Sequence, residues 1–420
     1  MRDVDVVVIG AGAAGVGAAR RLKGSSLSVL VLEARDRVGG RAWTVRDGDV
    51  PIDLGCGWLH SADENELAVL AGELGFAVDK SPPPWGRRSH QLNFSAADQA
   101  EFSAAWDRFD ERVAAAARQT ADRPAAELLE PDGRWNPLLN ALSTYINGVE
   151  LTRLSVQDFV RYHNTGVNWR PADGYGALIA GAAADLDIVA GCPATLLDHS
   201  GPTLRIETPR GTVSARAVIV TLPTNLLAEG ALRFHPALPD KVAAAAALPL
   251  GLADKVFLRV DRPEDLPVQT RLYGALDRVA TGSYHLRPFG APMIECYSGG
   301  AFARDLEHEG EGAFAAFAIE QLTAVLGHDV AQRLHPIAAS AWARDPFARG
   351  SYSYARVGCA DQRAVLAAPV DDRLFFAGEA CSLNDFSTAH GAWRTGVKAA
   401  EAVMERYSPS GRAVPAIAAR

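Results

Sequence analysis

Cysteine is scarce in this chain and carries no pattern. The five residues, Cys56, Cys192, Cys296, Cys359 and Cys381, are odd in number, far apart and never in a C-x-x-C pair. That spacing argues against a disulfide framework or a zinc site, and a reducing, cytoplasmic setting is expected. Long apolar runs are missing as well. No uninterrupted stretch of about 18 apolar residues occurs, so no membrane span is expected. Positive charge is in deficit: 42 Lys and Arg stand against 50 Asp and Glu, for a formal net charge of −8. Bulk nucleic-acid binding wants a basic face and is disfavoured, whereas the acidity suits solubility and is compatible with a cationic small molecule. Met1-Arg2-Asp3-Val4-Asp5 runs straight into a strand-like stretch, so no signal segment is expected. Ala-rich stretches are the one compositional bias, and they read as good helix formers.

What is present suffices for a large core. At roughly 150 residues per domain, 420 residues suggest two or three domains. Hydrophobic residues at 48% and charged residues at 22% are an ordinary globular mix, with room for an enclosed cofactor cavity. Val4–Ile9 is an apolar, β-branched run that reads as a buried parallel strand. Gly10–Arg21 reads as a glycine turn leading into a helix, and Leu27–Leu32 as a second strand, which makes a strand–helix–strand unit. Residues 96–165 are helical in pattern. Strands return at Asp187–Ala190, Thr203–Thr208 and Ala217–Leu222, with a hairpin turn at Thr208-Pro209-Arg210-Gly211. Strands dominate 252–300, a helix is expected over 310–326, and Arg373–Phe376 and His390–Met404 read as a late strand and helix. The order of elements implies a nucleotide-binding layer assembled from the beginning, middle and end of the chain.

Gly10-Ala11-Gly12-Ala13-Ala14-Gly15 is a G-x-G-x-x-G segment. Alone it is weak. Here it follows a strand, opens a helix, and is followed 18 residues after Gly15 by Glu33 at the end of the second strand, which makes it a dinucleotide-binding fingerprint. Gly10 permits the turn, Gly12 lets backbone N–H groups approach a pyrophosphate, and Gly15 lets the helix pack close to the sheet. Glu33 can accept hydrogen bonds from a ribose and repels a 2′-phosphate. A second such fingerprint is lacking, so one dinucleotide is expected.

Ala34-Arg35-Asp36-Arg37-Val38-Gly39-Gly40-Arg41 follows Glu33 at once and resembles the E-A-x-x-x-x-G-G-R segment of the flavin amine oxidases. Asp53-Leu54-Gly55-Cys56-Gly57-Trp58-Leu59-His60 resembles that family's D-x-G-x-x-W-x-H segment. Phe375-Phe376-Ala377-Gly378-Glu379-Ala380 resembles its F-A-G-E motif, and Thr388-Ala389-His390-Gly391-Ala392 the turn and helix start that faces the isoalloxazine ring. Leu250-Gly251-Leu252-Ala253-Asp254-Lys255-Val256 resembles the segment with a lysine near the reactive flavin nitrogen, and Gly350-Ser351-Tyr352-Ser353-Tyr354 the segment with a substrate-cage tyrosine. The resemblance spans roughly residues 4–405 and is strongest to polyamine oxidases, through His60, the Gly-Ser-Tyr-Ser-Tyr run and Thr388.

The resemblance implies an α/β protein: a two-domain, glutathione-reductase-like (Rossmann-type) FAD-binding domain with an interleaved α+β substrate domain. The FAD-binding part is expected over 1–60, 170–250 and 345–410, the substrate part over 61–169 and 251–344, and a loose tail over 411–420. It implies that Gly10, Gly12, Ala14, Gly15, Glu33, Ala34, Arg35, Gly39, Gly40, Arg41, Gly57, Trp58, Ala194, Gly378, Glu379, Thr388, Ala389, His390 and Ala392 contact FAD. Lys255, His60 and Tyr352 are the implied catalytic residues, and His60, Tyr352 and Thr388 the implied substrate contacts. Ser351 stands where mitochondrial-type monoamine oxidases carry a flavin-linking cysteine, so FAD is expected to be non-covalent. Thr388 stands in place of a second cage tyrosine. No metal is implied. The expected reaction oxidises an aliphatic amine, a polyamine by preference, to an imine, with dioxygen as acceptor and hydrogen peroxide as product. An amino-acid oxidase or a desaturase of the same fold, or a non-catalytic flavin-binding protein, stays open as an alternative; Arg161, Arg170 and Arg271 are candidates to meet a carboxylate substrate. Glu150 and Asp158 could meet a cation, although each reads more simply as part of a solvated helix face.

Overall fold

A computed structural model describes residues 2–86, 93–119 and 121–407; the tail expected at 411–420 lies outside them. The strand Arg2–Ile9 pairs in parallel with Val29–Leu32 on one side and with the long strand Gly211–Val220 on the other. Ile188–Val189 extends the sheet beyond Val29–Leu32. The strand Gly211–Val220 is shared along its length. Its first half takes Leu204–Thr208 in antiparallel register, and its second half takes Leu374–Phe376 in parallel. The strands Leu196–Asp198 and Arg233–His235 complete an eight-stranded sheet. Pro209-Arg210 turns the hairpin, since Thr208 and Gly211 face each other across it.

Side-chain alternation explains why Val4–Ile9 is apolar throughout. Val6 and Val8 point into a core with the helices Ala13–Lys23, Tyr175–Ala183 and Ala389–Tyr407. Val7 and Ile9 point into a second core with Leu197, Ile206 and Leu248 on the opposite face. The first and last helices cross closely because each carries a glycine at the contact. A Cβ on Gly396 would sit 2.0 Å from the Ala14 carbonyl oxygen, and one on Gly17 would sit 3.0 Å from Trp393.

A second sheet of five antiparallel strands runs in the order Thr270–Tyr273, Ser283–Leu286, Met293–Gly299, Ala253–Val260, Leu334–Ala339. One face, with Val256, Leu258 and Cys296, packs on the helices Gly300–Glu309 and Ala313–Leu326. Phe257 and Met293 belong to the other face and pack with Ile52, Leu54 and Trp342. Lys255, two residues before Phe257, and Glu295 and Tyr297, after Met293, share that face by the same alternation. The hairpin Thr44–Asp47/Val50–Asp53, and a small sheet of Leu59–His60, Asn168–Pro171 and Val78–Asp79, were not legible as strands in the sequence. Among the described residues, no helix is long and apolar enough to cross a membrane. All five cysteines are unpaired, and no group of three or more His, Cys, Asp or Glu among the described residues could hold a metal ion.

Candidate active site

A cavity of about 290 Å³ opens where the first sheet's strands end and reaches the inner face of the second sheet. Its wall begins at the glycine turn. Gly10 has φ +105°, and a Cβ on Gly15 would lie 1.8 Å from the Gly10 carbonyl oxygen, so both glycines are required by geometry. Gly12 precedes the helix Ala13–Lys23, and no side chain caps that helix and no acidic residue occupies its first turn. The open N–H groups of that turn, with the partial positive charge of the helix end, face the cavity that Gly12, Ala13 and Ala14 line. Gly39 and Gly40 approach Gly12 from the other side, with Gly12 and Gly39 bridged strand-fashion.

Glu33 is 3% exposed, and its two carboxylate oxygens accept the Ala11 N–H at 2.7 Å and the Arg35 N–H at 2.8 Å. Glu379 lies further along. It accepts from Arg41 Nη1 at 2.9 Å, Ser353 Oγ at 2.6 Å and the Ser387 N–H at 2.9 Å. Burial pushes the Glu379 carboxyl up, but Arg41, Ser353 and Arg363 outweigh it and hold the group below its ordinary value. Thr388 caps the last helix: its Oγ1 accepts the Gly391 N–H at 3.0 Å and donates to the Asp385 carbonyl at 2.6 Å.

At the inner end stand Lys255, Tyr297, Trp342, Ser351 and Tyr352. Lys255 is 1% exposed, with Nζ 2.9 Å from Glu295 Oε1 and donating to the Asp53 carbonyl at 2.9 Å. Burial alone would lower its pKa. The attraction of Glu295, helped by Tyr297 and Asp53, raises it above the ordinary lysine value instead. Glu295 is held well below the carboxylate range by Lys255 and Arg170 in spite of burial. The Tyr352 hydroxyl donates to the Tyr145 carbonyl. The Ser351 hydroxyl is engaged with Ala253, accepting from its N–H at 2.9 Å and donating to its carbonyl at 2.8 Å.

The structure therefore brings Gly10, Gly12, Ala14, Glu33, Ala34, Arg35, Gly39, Gly40, Arg41, Ala194, Gly378, Glu379, Thr388, Ala389, Ala392, Lys255 and Tyr352 to one cavity wall. Gly15, Gly57, Trp58, His60 and His390 do not line it. Trp58 stacks edge-on with Trp85 at 4.4 Å, and His60 Nδ1 meets Asn168 Oδ1 at 2.6 Å. Burial, with His390 nearby, lowers the His60 pKa to about 4 although Asn168 works against this. His390 is 1% exposed, 3.7 Å from Asp385. Asp158, read as part of a solvated helix face, is instead 1% exposed and paired with Arg363 through two hydrogen bonds, at 2.7 and 2.8 Å. Arg170 does not stand free for a substrate carboxylate; it is 7% exposed and lies 3.3 Å from Glu295. Glu295, Tyr297 and the capping carboxylate of Asp53, which accepts the Tyr175 N–H at 2.9 Å, were missed. The one signal for Tyr297 and Glu295 was their alternation on a strand beside Lys255.

A parallel sheet whose glycine turn and helix start open on a long cavity, with a buried lysine at its far end, defines a dinucleotide-cofactor oxidoreductase. The family model for flavin containing amine oxidoreductases matches residues 13–130 and 132–404, and the chain belongs to that family. Polyamine oxidase 2 of Arabidopsis thaliana is 30% identical over 97% of this chain and 90% of its own length, and Polyamine oxidase 4 of Oryza sativa is 29% identical over 96% and 88%. The fold is shared with putrescine oxidase solved with putrescine (TM-score 0.79, 19% identity, 96% of this chain and 99% of that one) and with the cyclohexylamine oxidase of Brevibacterium oxydans (TM-score 0.76, 21% identity, the same coverage). The protein is an FAD-dependent amine oxidase. The uncapped helix start facing Gly39 and Gly40 fits the pyrophosphate of that cofactor, because the cradle offers backbone donors and no side chain that would fill it.

Proposed function

We propose that this enzyme oxidises an aliphatic amine of the polyamine type, with dioxygen as acceptor and hydrogen peroxide as product. FAD, when bound, would supply the redox chemistry, the two-electron oxidation of the carbon beside the amine nitrogen with dioxygen as the final acceptor. The chain's own residues bind, orient and set charge. Gly12, Ala14, Gly39, Gly40 and Arg41 would surround the pyrophosphate, and Glu33, Ala34, Arg35 and Ala194 the adenosine end. Glu379, Gly378, Thr388, Ala389 and Ala392 would flank the ribityl and ring portions, with Gly15 supporting the turn and Gly57, Trp58 and His390 packing behind. Ser351 leaves no sulfur for a covalent link. The layer that holds FAD would comprise 1–60, 170–250 and 345–410, with the substrate side at 61–169 and 251–344.

The observation that carries the reading is the inner end of the cavity, where a buried cation, Lys255, and two tyrosines, Tyr297 and Tyr352, share one wall. An aromatic face attracts and orients an amine, and Lys255 keeps a positive charge where electrons arrive. His60 would act as a neutral hydrogen-bonding group, its low pKa excluding an imidazolium at working pH. The names of the plant relatives favour a polyamine over a ring amine. The test is peroxide release from a panel of spermine, spermidine, putrescine, cyclohexylamine and an amino acid. Polyamines should give the highest kcat/KM. A clear preference for cyclohexylamine would overturn the substrate class, and a preference for the amino acid would favour the amino-acid oxidase alternative.

A further inference from the structure

We propose that Glu295 is the positioning residue for Lys255: its carboxylate fixes the buried ammonium, as a cation, at the cavity wall. This rests on the reading that Lys255 works beside bound FAD. An ammonium has three N–H donors and no acceptor. Lys255 donates one to the Asp53 carbonyl at 2.9 Å, and its Nζ forms an ion pair with Glu295 Oε1 at 2.9 Å, at the place where Lys255 and Tyr297 line the cavity. The charge on Lys255 therefore decides whether the wall presents a cation to whatever stands there.

Glu295 is built to hold that charge. It is 2% exposed, and strand register sets it opposite His285, whose Nδ1 lies 3.6 Å from Oε2. Arg170 Nη1 lies 3.3 Å from the same oxygen, and its guanidinium is stacked 4.9 Å from both Trp58 and Phe289. The groups facing Lys255 are Glu295, Tyr297, Arg170, Asp53, His285 and Cys56. Of these, Arg170 and burial oppose the lysine charge, and Glu295 is the chief group that sustains it. With Glu295 gone, two cations would share one dry pocket, and Lys255 would give up its proton within the working pH range.

The test is the reduction potential of bound FAD against pH, measured on holoenzyme with a chemical reductant and mediators. Wild-type Lys255 stays charged in both redox states and contributes no break between pH 6 and 10. Glu295→Gln should add a break, with one further proton taken up per two electrons at the alkaline end, and Glu295→Asp should restore the wild-type slope in part or whole. Coincident plots for wild type and Glu295→Gln overturn the proposal. If Glu295→Gln alone yields no folded holoenzyme, the double variant with Lys255→Met decides. Recovery supports the pairing, because the loss came from the unpaired lysine, and no recovery overturns it. The reductant is not an amine, so failure of the substrate reading leaves this measurement intact. A Lys255→Met plot that coincides with wild type overturns the placement of Lys255 beside FAD as well.

Discussion

Arg363→Met would remove a guanidinium that is 0% exposed and leave its partners in the core. Arg363 donates to Asp158 through Nε at 2.7 Å and Nη2 at 2.8 Å, and through Nη1 to Ser353 Oγ at 2.9 Å and the Ala380 carbonyl at 3.3 Å. Methionine fills much of the volume but donates nothing. Asp158 would keep the Ala355 N–H and otherwise stand as a buried, uncompensated carboxylate. Breaking such a pair from one side costs about 3–5 kcal/mol. For a chain of 420 residues unfolding as one unit, that cost corresponds to a Tm lowered by about 3–6 °C. The loss also reaches the cavity, because Ser353 Oγ donates to Glu379, which lines it; FAD should be released at a lower temperature. Melting followed by flavin fluorescence and by circular dichroism measures both. The double variant Asp158→Leu/Arg363→Met should recover part of the loss. A Tm drop under about 1 °C, or a double variant no better than Arg363→Met, would refute the argument.

Glu33→Ala removes a carboxylate that braces two backbone N–H groups and faces the cavity. At about 1.5–3 kcal/mol for a charged hydrogen bond, FAD affinity should fall about tenfold or more, and equal FAD content after dilution and gel filtration would contradict this. Lys255→Met should slow reaction with amine or with dioxygen by about 10²-fold while FAD stays bound; two unchanged half-reactions in stopped flow would count against the role. Asp385 is held down to about 2 by His390 first, then Arg394, against burial. Its folded pKa lies below the unfolded one, so its stabilisation is full above about pH 4 and lost as pH falls through about 2. Asp385→Asn should therefore lower Tm at pH 7 and change little near pH 2. His60 stays neutral down to about pH 4, so His60→Gln should leave any break near pH 6.5 in the kcat/KM profile where it is.

The cofactor side was legible because it is local. Gly10-x-Gly12-x-x-Gly15, Glu33 and Gly39-Gly40-Arg41 lie within one strand–helix–strand unit, and each glycine answers a backbone demand that shows in the sequence. The glycine turn, Glu33, Arg41 and Lys255 all reach the same cavity. The charge pairing was not legible. Lys255 and Glu295 meet diagonally across two strands forty positions apart, in a register set by the fold. Asp158 and Arg363 are 205 residues apart, so a helical pattern alone gave Asp158 a solvated face. Thr388 was read by its position in a motif, whereas its hydroxyl is engaged in capping the helix that follows. The strand Val50–Asp53 was not legible because Pro51 interrupts it, and a proline within a short run argues against a strand.

Anaerobic mixing of the holoenzyme with spermidine, followed by flavin absorbance and then by readmission of air, tests the central claim most directly. The account predicts rapid bleaching, faster at alkaline pH as the amine loses its proton, then return of the yellow colour with stoichiometric hydrogen peroxide. Flavin that stays oxidised with spermidine and with every other amine, in protein that holds a full complement of FAD, would contradict it.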